Sequence, residues 1–206
     1  MSTTDTTPQA SSTAQRPATP ILILIRGLPG SGKSHLAAEL QKRIGSSNVV
    51  TLDPDATDYS SKAYTDLSKS LTQEGVDAKF HPYRFLRGQA YTGITERKVI
   101  IWNQGFTSLD GFNKTIINLQ AFAAEHGTTL PVLVVEVEVT PAVAQKRIAQ
   151  RADKNGHDVP EQTFKRFLQD YQTFAGQGHD PVVVNGEDDV VVSAAVVMQA
   201  LHDLTK

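Results

Sequence analysis

The 206-residue chain contains no cysteine. Disulfides, thiolate zinc sites and cysteine nucleophiles are therefore excluded. It also lacks any apolar run approaching the roughly 18 residues that a membrane-spanning helix needs. The expectation is a soluble protein with no membrane partner, cytoplasmic by default. An excess of either charge is missing as well. Twenty Lys and Arg against 22 Asp and Glu leave a net charge of −2. No global basic field exists to drive nonspecific nucleic-acid binding, which excludes a constitutive nucleic-acid coat protein but not an enzyme with one local basic groove. His35, His126, His179 and His202 show no metal-ligand spacing and read as structural or surface residues. Residues 1–20 are poor in apolar side chains and rich in Ser, Thr, Ala, Gln and Pro. With no basic start followed by an apolar block they do not form a secretory signal, and they read as a disordered tail.

What remains, residues 21–206, is long enough for one domain with a sizeable core. Short aliphatic runs alternate with helical periodicity. The runs at 21–25, 49–52, 99–102, 132–139 and 182–184 read as strands. Helices are expected at about 33–44, 82–96, 111–126, 141–151, 160–175 and 189–204, with a short one near 62–73. Strands separated by helices indicate βαβ units. The fold class that follows is α/β, with a five-stranded, mainly parallel sheet covered by helices on both faces. Ligands on such sheets bind beyond the carboxyl ends of the strands. The polar residues there are Asp53 and Asp55, Asn103 and Gln104, and Thr140.

The first of these strand ends carries the most specific signal. Gly27-Leu28-Pro29-Gly30-Ser31-Gly32-Lys33-Ser34 matches the phosphate-binding P-loop, G-x-x-x-x-G-K-[ST], without deviation. An aliphatic strand precedes it and a helical pattern follows, as a three-layer P-loop NTPase fold requires. Glycines let backbone N–H groups converge on an anion, and the helix N-terminus adds its positive end. Lys33 is expected to reach the β- and γ-phosphates, and the Ser34 hydroxyl to hold Mg2+. Candidate nucleotide contacts are Gly27, Pro29, Gly30, Ser31, Gly32, Lys33, Ser34 and the adjoining His35.

Asp53-Pro54-Asp55 closes the second strand. A carboxylate there faces the γ-phosphate region, where a phosphoryl-transfer enzyme orients the acceptor hydroxyl and receives its proton. Asp55 is the candidate base, with Asp53 toward the metal. The third strand ends in Asn103-Gln104 rather than an acid. An amide can orient a water or a phosphate oxygen but cannot neutralise Mg2+, so either Asp53 compensates or the ion rests mainly on Ser34 and the nucleotide. Arg147 and Arg151 share a helix face four residues apart. They stand where a small lid, about 147–160, could fold over nucleotide and place guanidinium charge on the transferring group. Asn155-Gly156-His157 breaks that helix. Residues 56–97 form an acceptor-side insertion in which Arg84 and Arg87 could meet an acidic acceptor.

These features, in this order, resemble the P-loop kinases grouped with the 5′-hydroxyl polynucleotide kinase of bacteriophage and the zeta toxins. The resemblance rests on Gly27–Ser34, on the acid-x-acid signature Asp53-Pro54-Asp55, and on Arg147 and Arg151 followed by a polar loop and Val159-Pro160. It implies a catalytic base at Asp55 and phosphate contact at Arg151. The Asn103-Gln104 ending and the segment 56–97 depart from the family pattern. The expected activity is ATP- or GTP- and Mg2+-dependent transfer of a γ-phosphoryl group to a hydroxyl. The acceptor is expected to be a nucleic acid or nucleotide, at a 5′-hydroxyl or a hydroxymethylated base. The alternatives are a small-molecule kinase, such as a zeta-toxin-like nucleotide-sugar kinase, and a non-catalytic nucleotide-binding regulator.

Overall fold

A computed structural model describes residues 17–152, 159–174 and 176–206. Most of the expected tail lies outside these residues. So does the part of the expected lid that holds Asn155, Gly156 and His157.

Five parallel strands form one sheet in the order β2-β3-β1-β4-β5: β1 (Ile21–Arg26), β2 (Val49–Leu52), β3 (Val99–Asn103), β4 (Val132–Glu138) and β5 (Val182–Asn185). The chain leaves β1 toward one edge to build β2 and β3. It then crosses back over β1 to build β4 and β5 on the other side. The carboxyl end of β1 therefore sits at the point where strand order reverses, the place where such sheets open a ligand crevice.

Burial on both faces explains why β1 reads as a continuous aliphatic run rather than an alternating one. Its odd-numbered residues, Ile21, Ile23 and Ile25, pack against α1 (Lys33–Ile44) and the last helix of the chain, Val190–Leu204. Its even-numbered residues, Leu22 and Leu24, pack against the helices His81–Thr95 and Leu109–Glu125 on the opposite face. In chain order these helices follow α2 (Lys62–Gln73) and are α3 (His81–Thr95) and α4 (Leu109–Glu125). They are followed by α5 (Pro141–Ala152), α6 (Glu161–Asp170) and α7 (Val190–Leu204). The result is a three-layer α/β/α arrangement. α5 and α6 share a small separate core of Ala144, Ile148 and Phe164, with Leu28, Val139 and Val159 against it. In the segment 56–97, Ser61 caps α2 by accepting from the Tyr64 amide, and Tyr64 meets Phe85 of α3 edge-on at 5.4 Å.

The periodicity places every strand and α-helix on the correct stretch of chain, with one overreach, and does not mark the single 3-10 turns at Ser46–Asn48 and Ala78–Phe80. The helix expected at 160–175 stops at Asp170, and Tyr171 is extended. Tertiary contacts of Tyr171, Gln172 and Phe174, described below, outweigh local propensity there.

Because β1 is the central strand, its core positions should be the most sensitive. Ile23→Ala should lower the unfolding free energy by about 2–5 kcal/mol. Urea titration followed by circular dichroism measures it, and an unchanged m-value would confirm that only stability moved.

Candidate nucleotide-binding site

The loop between β1 and α1 is held by backbone contacts that leave no room for side chains. Gly27 has φ 147°, and a Cβ there would stand 2.5 Å from the Val137 carbonyl oxygen of β4. Gly30 has φ 83°, and a Cβ there would stand 2.5 Å from the carbonyl oxygen of Ala144 in α5. Only glycine fits these positions. Gly32 begins α1 from a left-handed conformation, with no side chain capping the first turn and no acidic residue in it. The first-turn amides keep their positive end available to an anion.

Around this loop opens a cleft of about 1050 Å³, bordered by Pro29, Gly30, Ser31, Gly32, Lys33, Ser34 and His35. Asp53, Asp55, Asn103, Gln104, Arg147 and Arg151 border it too. The structure thus brings together residues from four separate stretches of sequence. Arg84 and Arg87 are not among the bordering residues. Arg84 is exposed, and Arg87 lies 5.9 Å from the ring centres of both Tyr83 and Tyr91 along its own helix. The proposed acceptor contacts on α3 are therefore not gathered to the cleft.

The Lys33 ammonium donates to the Leu28 carbonyl at 2.9 Å, folding back over the loop. Burial pushes its pKa down from 10.5 to about 8, opposed by the attraction of Asp55 and Asp53 and assisted by the Arg151 charge. Beside it, the Ser34 hydroxyl donates to Asp53 Oδ2 at 3.2 Å. The buried Asn103 Nδ2 donates to both Ser34 Oγ at 2.9 Å and Asp53 Oδ2 at 2.6 Å. It binds the hydroxyl and the carboxylate together. Asp53 Oδ1 accepts from the Asp55 amide at 2.9 Å, and its carbonyl accepts from Thr57 Oγ1 at 2.6 Å. This turn fixes the exposed Asp55 at the cleft's edge. Gln104 is partly committed elsewhere, accepting from the Trp102 indole at 3.0 Å.

The two arginines of α5 differ. Arg147 donates to the Gly186 carbonyl at 2.8 Å and to that of Ser31 at 3.3 Å, so it braces the P-loop against the β5–α7 turn. Arg151, one turn further on, is exposed at the cleft and close enough to Lys33 to act on its charge. Three participants escaped the sequence. Gly186 touches the Ser31 carbonyl so closely that a Cβ would collide with it. Phe167 of α6 presses its ring against Gly105, where a Cβ would lie 2.6 Å from the ring. Arg26, fully buried, continues the even-numbered face of β1. A charged residue closing an otherwise aliphatic strand was the available signal for Arg26. Nothing local marked Phe167.

Among the described residues no group of three or more His, Asp or Glu side chains could hold a metal by itself. Ser34 Oγ and Asp53 Oδ2 are hard oxygen donors side by side, 3.2 Å apart. That set suits Mg2+, which keeps several waters and binds through few protein groups.

The Lys33 environment has a measurable consequence. Between pH 8 and 10.5 the folded chain carries fewer protons at Lys33 than the unfolded chain, so this group's contribution to stability rises with pH across that window. A bound polyphosphate favours the charged amine, so anion affinity should fall as pH rises above about 8. An NMR titration of the lysine side chains, with Lys33→Arg for assignment, should show one inflection near 8 that moves upward when inorganic triphosphate is added. An inflection above 10 would contradict this picture of the site.

The sequence matches the AAA domain family over residues 22–174. No curated protein matches. Among solved structures, the chain is similar to a gluconokinase from Sinorhizobium meliloti 1021, with TM-score 0.57 and 15% identity over 93% of this chain and 95% of that one. It is similar to a deoxyadenosine kinase from M. mycoides with bound dATP, with TM-score 0.52 and 19% identity over 87% and 98%. It is also similar to a chain of the Pnkp1/Rnl/Hen1 RNA repair complex, with TM-score 0.54 and 16% identity, covering 84% of this chain but 49% of that one. At these identities the likeness lies in the fold.

Proposed function

The chain belongs to the AAA domain family, and from that premise we propose that it is a phosphotransferase. It uses ATP, or GTP, with Mg2+ to move a γ-phosphoryl group onto a hydroxyl. The observation that carries this reading is the convergence, on one cleft, of an intact P-loop, a carboxylate pair on β2's exit and two arginines of α5.

Each residue has a role its position supports. The P-loop amides and Lys33 hold the phosphates. Ser34 and Asp53 would hold Mg2+, which when bound would neutralise charge on the phosphates. Asn103 keeps those two side chains together. Asp55 orients the acceptor hydroxyl and takes its proton. Arg147 braces the loop, and Arg151 meets the charge that spreads over the transferring group. Such a protein fits the cytoplasm. Of the described helices, none is long and apolar enough to cross a membrane.

For the acceptor, the polynucleotide-kinase-like residue pattern supports a hydroxyl on a nucleic acid or nucleotide. One observation favours the second reading, a small-molecule kinase. Arg84 and Arg87, the cations expected to meet an acidic acceptor, do not border the cleft. The gluconokinase and deoxyadenosine kinase names point to small acceptors, and the RNA repair complex to RNA.

A screen with γ-labelled ATP over 5′-hydroxyl DNA and RNA, hydroxymethylated DNA, nucleosides, sugars and nucleotide-sugars tests the reading. Label should appear on one acceptor class. Tight ATP binding with transfer to none of them would instead indicate the regulator.

Lys33→Ala should abolish transfer and weaken ATP binding, and wild-type turnover in this variant would remove the assigned site. Asp55→Asn should cut kcat roughly 10²-fold with ATP affinity nearly unchanged. A loss confined to affinity would make it a metal or nucleotide ligand instead. Arg151→Ala should cost on the order of 10³-fold in kcat, and Arg151→Lys should not restore it because an ammonium lacks the planar fork. Steady-state kinetics distinguish these outcomes.

A further inference from the structure

The last residue of β1 is fully buried and charged, yet it faces away from the cleft. Arg26 is the register partner of Glu136 on β4, and their side chains form an ion pair at 3.4 Å. Arg26 also donates to the Gln172 carbonyl at 2.6 Å. Its guanidinium lies between two rings, 4.2 Å from the centre of Tyr171 and 3.6 Å from that of Phe174. The Tyr171 hydroxyl donates to Glu136 at 2.9 Å, closing the ring of contacts. Burial pushes the Tyr171 phenol well up, so it remains a neutral donor.

This arrangement carries a cost. Arg26 Nε is buried with no hydrogen-bond partner. Apolar residues in place of a buried ion pair are often as stable or more so. The knot therefore calls for an account beyond core stability, and its connections supply one. Residues 171–174 leave α6, whose Phe167 packs on Gly105 at the cleft beside Gln104. The same segment is tied to the start of α4, where the Gln172 amide donates to the Thr107 carbonyl and its side-chain oxygen accepts from the Leu109 amide. One residue after Arg26 the P-loop begins. One stride after Glu136, β4 ends and α5 follows with Arg147 and Arg151.

We propose that Arg26 is a positioning residue: its guanidinium, clamped between Tyr171 and Phe174 and bound to Glu136 and the Gln172 carbonyl, roots the exit of α6 to the base of the P-loop. It thereby fixes the wall of the cleft that Thr163 and Phe167 present beside β3's end. The catalytic consequence rests on the phosphotransferase reading. The anchoring does not.

The absence of native cysteine makes the anchoring directly measurable. Lys42→Cys on α1 and Lys165→Cys on α6 replace well-exposed side chains and accept spin labels. Electron–electron resonance between them should give a narrow distance distribution. Adding Arg26→Met with Glu136→Gln, which removes the ion pair without stranding a charge, should broaden it at least about twofold while circular dichroism stays unchanged. Tyr171→Leu removes one wall of the clamp and should broaden it likewise, which keeps the test available should the first variant not fold. In a transfer assay with Mg-ATP, turnover should fall by about tenfold to 10²-fold while the ATP dissociation constant changes by less than about threefold. Arg26→Lys, retaining charge without the planar fork, should not restore turnover. A distribution as narrow as the parent's in folded variants would overturn the anchoring. A parent protein that binds no ATP would overturn the phosphotransferase reading and leave the resonance result standing.

Discussion

The structure turns on two places where backbone meets backbone. Gly27 lies against the Val137 carbonyl and Gly30 against that of Ala144, each with φ in a region that side-chain-bearing residues avoid. These contacts seat the P-loop on β4 and α5 at once. They also mean that the loop's shape comes from its neighbours in β4 and α5 rather than from its own hydrogen bonds alone. Arg147 adds a third brace by joining the Ser31 and Gly186 carbonyls. A loop held this way presents its amides without reorganising, which is what electrostatic stabilisation of a phosphate requires.

A second layer of organisation builds on that seat. Asn103 binds Ser34 and Asp53 together, so the first turn of α1 and the end of β2 are positioned relative to each other through β3. An acid in place of Asn103 would set a second negative charge against Asp53, whereas the amide contributes a donor to both partners. Lys33 sits where burial favours the neutral amine and two aspartates favour the charged one. An incoming polyphosphate would resolve that competition in favour of charge. The cleft combines a cationic floor with an anionic wall, a division that suits a polyanionic donor on one side and a hydroxyl acceptor on the other.

Much of this was legible in the amino-acid sequence because the fold is built from strong local signals. Aliphatic runs fixed the strands, periodicity fixed the helices, and the P-loop named the strand end that matters. The carboxylates of β2's exit and the arginines of α5 were found by their place after strands, and they do border the cleft. Three things were not legible, each for a physical reason. Just past the end of α6 at Asp170, the Gln172 carbonyl is held by Arg26, more than 140 residues away in sequence. The duty of Asn103 depends on which strands are neighbours, and only the sheet order brings β1, β2 and β3 together. That Arg84 and Arg87 do not border the cleft depends on helix phase within the segment 56–97, where Arg87 lies near Tyr83 and Tyr91.

The central claim is that the Gly27–Ser34 loop is an anion cradle for a nucleoside triphosphate. Backbone amide NMR on the labelled protein tests it most directly. Adding Mg-ATP should shift the amides of Gly30, Ser31, Gly32, Lys33 and Ser34 most strongly, with smaller changes at Asp53 and Asn103. Saturable shifts confined to other parts of the chain, or none at millimolar nucleotide, would contradict it.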